Sequence, residues 1–261
     1  MRRFSAEYLR ATRAGMWADR SALAPLELDS RERVLDVGCG TGAFTDVLRA
    51  ETDSTVVGLD ADAALLSRVA PPVVRGDALS LPVPDGAFDL VVCQALLVNL
   101  PDPGAAVREF ARASSALVAA VEPDNAAVTV ESTVDEEARL AARARDLYLD
   151  GVETDAALGA DAADLFAEAG MSDVSTRRYE HERVTAPPYS DDDLTAARRK
   201  ASGEGLASDR ATLLAGDATT ADVDALREAW RAMGREAVAQ MQAGEYRRRE
   251  TVPFYVTTGR V

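Results

Sequence analysis

The stretch VLDVGCGTGAFT, residues 34–45, places a short apolar run with one aspartate directly before three glycines and the start of a helix. The glycines are Gly38, Gly40 and Gly42. Glycine is favoured where the chain turns sharply or where a ligand approaches the backbone closely. Three kinds of ligand would require such a loop: a dinucleotide, a bare phosphate, or a nucleoside that carries no phosphate.

The spacing of the glycines separates these possibilities. A dinucleotide loop has the pattern G-x-G-x-x-G, whereas the third glycine here comes one residue early. A phosphate loop continues with G-K-[ST], but the only lysine of the chain is the distant Lys200. The spacing therefore favours a nucleoside without phosphate and leaves a nicotinamide dinucleotide as an alternative.

Strand and helix patterns alternate from the loop onwards. The apolar runs RVLDVG, TVVGLD, PVVRGDA, FDLVVCQA and ALVAAVEP predict five strands. Alternation of this kind is typical of a doubly wound α/β fold, in which helices cover both faces of a mostly parallel sheet. Two later runs, DVSTRRYEHERV and TVPFYVTTGRV, predict a sixth and a seventh strand.

Capping residues predict where some of the helices begin. Asp102, followed by Pro103, is placed to start one helix. A capping box of Thr133 and Glu136 predicts the start of another, over residues 134–149.

Composition limits the possible partners. A formal net charge of −15 would repel nucleic acid and favours small-molecule substrates. The chain has no run of eighteen apolar residues and no secretion leader, so we expect a cytoplasmic protein without a membrane segment. Cys39 and Cys93 lie far apart without neighbouring histidines, which predicts neither a metal site nor a disulfide.

The charged residues are unevenly chosen. Arginine almost replaces lysine, and aspartate outnumbers glutamate. This bias predicts a halophilic protein whose acidic surface keeps it in solution. A GC-rich genome would also account for the arginines.

The pattern D-x-G-C-G-T-G, from Asp36 to Gly42, resembles the cofactor loop of the class I S-adenosylmethionine-dependent methyltransferases that act on small molecules. The resemblance covers nearly the whole chain in order. It implies a Rossmann-like sheet of seven strands with an antiparallel last strand, and S-adenosyl-L-methionine as cofactor. It also implies methyl transfer to an oxygen, nitrogen or carbon atom. Because the histidines that many relatives carry before LPDP are here Val98 and Asn99, an inactive S-adenosylmethionine-binding scaffold or regulatory protein remains the alternative.

The same resemblance implies a set of cofactor-binding residues. Asp60 would bind both ribose hydroxyls, or else cap the next helix, and Asp77 would accept from the adenine amino group. Asp36 would stabilise the methionyl ammonium or tie down the turn, and Leu96 would line the methionyl side or only pack in the core. The full set is Asp36, Gly38, Cys39, Gly40, Gly42, Asp60, Ala61, Asp77, Ala78, Gln94 and Leu96.

Methyl transfer requires positioning, exclusion of water and, for a protonated nucleophile, a base. Asn99, Glu122 and Asp124 are candidates for the base or for an acceptor contact, because ligands of open α/β sheets bind beyond the carboxyl ends of the strands. His181 lies among charged residues in RYEHERV and is expected to be a solvated strand residue.

Length and spacing predict three parts of the chain. Residues 1–30 form a helical segment over the cofactor site, residues 31–189 with 247–261 form the methyltransferase domain, and residues 190–246 form a helical cap. An apolar stripe in the cap covers the acceptor or packs only within the protein. The candidate acceptor contacts are Tyr8, Met16, Trp17, Tyr148, Trp230 and Met233.

Overall fold

The computed structural model describes residues 6–13 and 15–261, without the side chains of residues 7, 8, 10 and 11. The chain divides into two compact units. The first unit comprises Met1–Asp124, Leu158–Tyr179 and Pro253–Val261, and the second comprises Asn125–Ala157 and Glu180–Val252. The segment that the sequence predicts as a cap, 190–246, is thus part of a larger unit.

The described strands include all seven that the sequence predicts. In chain order they are β1 (Arg33–Val37), β2 (Thr55–Asp60), β3 (Val73–Arg75), β4 (Phe88–Gln94), β5 (Ser114–Pro123), β6 (Thr129–Ser132), β7 (Ser172–Thr185) and β8 (Arg248–Arg260). The helices are α1 (Ala6–Arg13), α2 (Ala43–Glu51), α3 (Ala63–Leu66), α4 (Pro103–Ala113), α5 (Glu137–Gly151), α6 (Ala162–Glu168), α7 (Asp191–Ser202), α8 (Glu204–Ser208), α9 (Arg210–Leu213) and α10 (Thr220–Ala243). Within the described ranges, no helix is both long enough and apolar enough to cross a membrane.

The first unit is built on a parallel sheet. Its strands lie in the order β3-β2-β1-β4-β5, and each neighbouring pair is parallel. β8 is antiparallel to β5, with Leu117 opposite Arg260 and Pro123 opposite Phe254. The strand order therefore reverses between β1 and β4, and a crevice for ligands forms beyond the carboxyl ends of strands at such a reversal.

The core of the first unit explains why its central strands are apolar on both faces. Val91 and Cys93 of β4 are buried in one cluster with Phe110 of α4 and Phe166 of α6. Because helices cover a parallel sheet on both faces, its strands do not alternate apolar with polar residues. Asp102 caps α4 as expected, since its Oδ1 accepts from the Ala105 amide at 2.8 Å.

The second unit has its own apolar core. The stripe that the sequence predicts on α10 is buried there, and it packs with residues of α5 and α7. The core members from these three helices are Leu140, Leu147, Ala197, Val223, Leu226, Met233, Ala237 and Met241. Trp230 and Tyr148 are partly buried against the same cluster.

One strand is missing from the sequence-based predictions, and two local predictions are wrong. β6 is absent from the predictions because its sequence, TVES, has a single strongly apolar residue; it pairs antiparallel with residues 248–251. Thr133 and Glu136 form no capping box, because the Thr133 hydroxyl contacts Gln240 and Glu136 pairs with Arg139. His181 is only 6% exposed, since alternate residues of a strand point to opposite faces and His181 takes the inward one.

A buried carboxylate ties the elements of the second unit together. Glu137, at the start of α5, is 1% exposed. One oxygen pairs with Lys200, the only lysine of the chain, and lies 3.1 Å from Arg248 Nε. The other accepts from Ser132 Oγ at 2.6 Å and from Tyr246 Oη at 2.8 Å. The network therefore links α5, α7 and the strands on either side.

We expect Lys200→Met to lower the free energy of unfolding by about 1.5–3 kcal/mol, because it removes a hydrogen bond to a buried charged group and leaves Arg248 as the remaining cationic partner of Glu137. Urea denaturation at neutral pH measures the loss. Glu136→Ala is the control, since it breaks an exposed ion pair whose contribution is below about 1 kcal/mol. A Lys200→Met effect as small as that of the control would show that solvent screens Glu137.

Candidate functional site

The glycine loop joins β1 to α2 at the carboxyl edge of the sheet. Gly38, Gly40 and Gly42 have φ angles of +71°, +57° and +86°. A Cβ at Gly38 would lie 2.8 Å from Leu96 Cδ1, and one at Gly42 would lie 2.9 Å from Val69 Cγ1. Both positions therefore exclude side chains for steric as well as conformational reasons.

Asp60 lies beside the loop at the end of β2. Its Oδ2 accepts from the Gly40 amide at 2.8 Å, and its Oδ1 accepts from the Asp62 amide at 2.8 Å. Asp62, rather than Asp60, caps α3 by accepting from the Ala64 amide. Because each carboxylate oxygen has two lone pairs, Asp60 retains one acceptor position on each oxygen. Two vicinal hydroxyls are the groups that such a carboxylate binds.

Asp36 lies beneath the loop and is 1% exposed. The Thr45 hydroxyl of α2 donates to its Oδ2 at 2.6 Å. Burial raises the pKa of Asp36 to about 7, and the nearby Asp60 raises it too, while the Thr45 hydrogen bond and Arg49 oppose the rise. The contact with Thr45 ties β1 to α2, and the sequence analysis missed this threonine.

The turn after β4 packs on the loop from the other side of the strand reversal. Leu96 is buried in the core cluster and fills the space over Gly38. Ala95 has a φ of +47°, a conformation that costs a residue with a Cβ of the order of 1–3 kcal/mol. The Asn99 Nδ2 donates to the Ala95 carbonyl at 2.7 Å and closes the turn.

Glu122 lies at the end of β5, and no part of it is exposed. Its Oε1 accepts from the amides of Leu96 at 3.0 Å and Leu97 at 2.9 Å, and its Oε2 accepts from the Val98 amide at 3.3 Å. Burial raises the pKa of Glu122 to about 7 although these three hydrogen bonds lower it.

The adenine side of the predicted site lies at the ends of β2 and β3. Asp77 is exposed, and its Oδ1 accepts from the Leu79 amide at 3.0 Å. Ala78 is buried, and the Ala61 carbonyl accepts from Arg75 Nε at 3.2 Å. Cys39 is buried in a small apolar cluster with Leu66 and Val69 of the neighbouring segment, so its side chain forms part of the wall under the loop.

The amino-terminal segment contacts three parts of this edge. Leu9 of α1 is the nearest side chain to Gly40, at 3.1 Å from the position of a Cβ. Met16 Sδ accepts from Gln94 Nε2 at 2.6 Å. Trp17 stacks on Phe44 at the start of α2, with the ring centroids 4.7 Å apart and the planes 14° from parallel. The backbone of Tyr8 belongs to α1, but its side chain lies outside the described residues.

The remaining candidates divide between the two units. Asp124, in the first unit, is partly buried, and its amide donates to the Pro253 carbonyl at 3.0 Å. Tyr148, Trp230 and Met233 belong to the second unit, where Met233 is a core residue with 4% exposure. Among the side chains that the structure describes, no three His, Cys, Asp or Glu groups are arranged to hold a metal ion.

Residues 35–116 match the family model of a methyltransferase domain. The match begins in β1 and ends in β5, so it includes the glycine loop, Asp60 and the turn after β4. This segment is therefore similar to a methyltransferase domain. The predicted Rossmann-like sheet, mostly parallel with an antiparallel last strand, is confirmed.

Relatives of this methyltransferase domain are similar over part of their length. A demethylmenaquinone methyltransferase of Lactiplantibacillus plantarum is 36% identical over 36% of this chain and 45% of its own. A ubiquinone biosynthesis O-methyltransferase of Paracidovorax citrulli is 36% identical over 37% of this chain and 42% of its own. The chain therefore spans less than half the length of these curated relatives.

A solved structure supports the fold of the whole chain. A Bacillus halodurans protein described as a methyltransferase superposes with a TM-score of 0.54 and 16% identity. The superposition covers 93% of this chain and 98% of that one. At this identity the likeness shows the fold alone.

We expect Asp36→Asn to stabilise the ligand-free protein at pH 8 but not at pH 4. Because its folded-state pKa is raised from 3.8 to about 7, the folded protein holds the proton more tightly, and stability falls as the pH rises between these values. An asparagine keeps an oxygen for Thr45 without the charge. The expected gain at pH 8 is about 2–4 kcal/mol, measured by urea denaturation.

Asp102→Asn is the control for this comparison, since it changes an exposed carboxylate at a helix start. Its effect should be small and similar at the two pH values. A loss of stability in Asp36→Asn at pH 8 would show instead that the charge of Asp36 strengthens the link to Thr45.

Proposed function

We propose that the protein transfers a methyl group from S-adenosyl-L-methionine to an oxygen, nitrogen or carbon atom of a small molecule. The observation that carries the proposal is Asp60, which holds the Gly40 amide and keeps two acceptor positions at the point where the strand order reverses. S-adenosylmethionine has ribose hydroxyls, an ammonium and a sulfonium but no phosphate. A loop flanked by Asp36, Asp60 and Asp77 suits these groups better than it suits a pyrophosphate.

The residues of the first unit fit this cofactor part by part. Asp60 would accept from the two ribose hydroxyls, and Asp77 from the adenine amino group. Ala61 and Ala78 would lie against the adenine ring. Gly38, Gly40 and Gly42 would admit the methionyl part, with Cys39 in the loop wall. Asp36 would stabilise the ammonium directly or through water, and Gln94 and Leu96 would border the same part. When bound, the cofactor supplies an electrophilic methyl group on its sulfonium.

The acceptor would be oriented by groups that lack a protein partner. Asn99 Oδ1 and Trp17 Nε1 are buried, and no residue in the described ranges forms a hydrogen bond with either atom. The Ala95 carbonyl fixes the orientation of the Asn99 amide, because a flipped amide would place two oxygens together. We propose that Asn99 Oδ1 accepts a hydrogen from a hydroxyl or amino group of the acceptor. Asp124, which follows the neighbouring parallel strand β5, is the candidate base.

An aromatic acceptor that carries hydroxyl groups suits this side of the first unit. Met16 is half-buried and offers a polarisable thioether, and the buried Trp17 offers the indole N–H as a donor. Relatives named for demethylmenaquinone and for ubiquinone biosynthesis support this class of acceptor for the present chain. The acidic composition and the single lysine support the further proposal of adaptation to high salt. A cytoplasmic location also stays a proposal.

The second unit remains our candidate for the cap that selects the acceptor. Met233 and most of the α10 stripe belong to the core of that unit, so Tyr148 and Trp230 are the side chains left to contact a ligand. Deletion of residues 191–245 would remove Lys200 and thus one of the cationic partners of the buried Glu137. Point variants are therefore the appropriate test.

We expect the protein to bind S-adenosylmethionine and S-adenosylhomocysteine but not NAD in calorimetry. Asp60→Ala should weaken both interactions by roughly 1.5–3 kcal/mol, the usual scale for a hydrogen bond to a charged group. Asp62→Ala is the matched control, because Asp62 caps α3 and has no assigned contact with the cofactor. Binding of NAD, or equal affinities in the Asp60→Ala variant and the wild type, would remove the proposed cofactor site.

We expect Trp230→Ala to retain cofactor affinity while methyl transfer to the acceptor falls at least tenfold. The assay is transfer of labelled methyl groups from S-adenosylmethionine into a metabolite extract. Trp230→Phe keeps an aromatic surface and serves as the control. Full transfer by Trp230→Ala would argue against the cap. If the wild type binds the cofactor but labels nothing in extracts of varied origin, the scaffold alternative is the better description.

A further inference from the structure

Glu122 is a buried carboxylate that the proposed chemistry does not use. The turn amides of Leu96, Leu97 and Val98 all donate to it. Among the described side chains, Cys93 is the one that forms a hydrogen bond with it, and its Sγ donates to Oε1 at 3.6 Å. Burial raises the pKa of the Cys93 thiol well above its usual range, so Cys93 remains a neutral donor. None of the ion pairs formed by the described residues includes Glu122.

Two features make the turn that donates to Glu122 unfavourable by itself. Residues Leu97–Asn99 form a single turn of 3-10 helix, and the first amides of such a turn have no partner within it. The preceding Ala95 is in the left-handed region, which is unfavourable for a residue with a Cβ. Three hydrogen bonds to one carboxylate offset both costs.

The position of this turn decides what the cofactor loop can accept. The Leu96 side chain occupies the space directly over Gly38. Any shift of the turn therefore moves the wall of the loop at the side where the methionyl part is proposed to bind. The same shift moves Asn99, because its amide is tied to Ala95.

The strength of the three hydrogen bonds to Glu122 depends on the protonation state of its carboxyl group. An ionised carboxylate presents only acceptors, and it can serve three amides at once. A protonated carboxyl keeps acceptor positions but loses its negative charge, and one of its oxygens becomes a hydroxyl. Protonation therefore weakens all three hydrogen bonds of the turn, because hydrogen bonds to an ionised acceptor are about twice as strong as neutral ones.

On the basis of the proposed function, we propose that Glu122 is a positioning residue. Its ionised carboxylate fixes the turn of residues 96–99 in the shape that admits the cofactor, and its protonation loosens that turn and weakens cofactor binding. The site is in this way linked to pH through a residue that touches neither the cofactor nor the acceptor.

Two opposing effects set the pKa of Glu122 and thereby the pH range in which cofactor binding is expected to change. Burial favours the protonated form, and the three amides favour the ionised form; burial is the larger effect and raises the pKa to about 7. The link therefore weakens cofactor binding as the pH falls through this value. Three other titratable side chains lie on the strands around Glu122: Tyr255 of β8, which lies directly opposite Glu122, Cys93 of β4, and Asp36 of β1. Burial raises the pKa of Asp36 to about 7 as well. The experiment must separate Asp36 from Glu122.

The first measurement is an amide titration of the ligand-free protein by NMR. The amide resonances of Leu96, Leu97 and Val98 should move together with one midpoint near pH 7, because all three donate to the same carboxylate. Asp36→Asn should leave this common titration in place, whereas Glu122→Gln should abolish it. Amides that stay fixed through neutral pH in the wild type would overturn the proposal without need of any variant.

The second measurement is the affinity for S-adenosylhomocysteine as a function of pH. At pH 8 we expect Glu122→Gln to bind at least tenfold more weakly than the wild type, because the amide nitrogen of glutamine faces the turn with a donor. The loss of affinity in acid should persist in Asp36→Asn and disappear in the double variant Asp36→Asn/Glu122→Gln. Wild-type affinity in Glu122→Gln would overturn the positioning role.

The two measurements also distinguish this proposal from the proposed function. A protein whose three amides titrate together but that binds no S-adenosylhomocysteine at any pH would contradict the methyltransferase function. A protein that binds S-adenosylhomocysteine while the amides stay fixed would contradict only the role of Glu122.

Discussion

The turn after β4 packs directly on the glycine loop after β1, and the candidate site depends on this contact. A Cβ at Gly38 would lie 2.8 Å from Leu96 Cδ1 and would force that side chain to shift. Together with the φ of +71°, this contact favours glycine at position 38 even before a ligand is considered. The two segments follow neighbouring parallel strands on either side of the strand reversal. The proposed ribose contact of Asp60 and the proposed orientation of Asn99 both require that the loop and the turn keep their positions relative to each other.

Two buried carboxyl groups form hydrogen bonds with the turn and with the helix that follows the loop, and their burial lowers the stability of the folded protein when they are ionised. Asp36 and Glu122 are almost fully buried, and burial raises the pKa of each to about 7. Neither forms an ion pair with a described residue; their partners are a hydroxyl, a thiol and backbone amides. Proteins retain such unfavourable groups chiefly where function requires them. Their location beneath one loop and one turn supports the assignment of the site to this edge.

The second unit solves the problem of a buried charge differently. Glu137 is as buried as Asp36, but Lys200 and Arg248 compensate its charge, and Tyr246 and Ser132 satisfy its remaining lone pairs. A fully partnered carboxylate of this kind holds elements together, and it has little acceptor capacity left for a ligand. This difference is the physical reason why we place the chemistry in the first unit and a selective role in the second.

The sequence by itself determined the sheet, the glycine loop, the helix start at Asp102 and the set of acidic residues at the strand ends, because hydrophobic period and glycine spacing are local properties of the chain. Only the tertiary structure decided which partner each polar group has. The sequence offers Glu122 as a candidate base or acceptor contact and Asp36 as a candidate cofactor contact. In the structure, three amides of a distant turn donate to Glu122, and Thr45 donates to Asp36. β6 and the burial of His181 were missed for the same reason: pairing and burial are set by residues far away in the chain, which no local pattern contains.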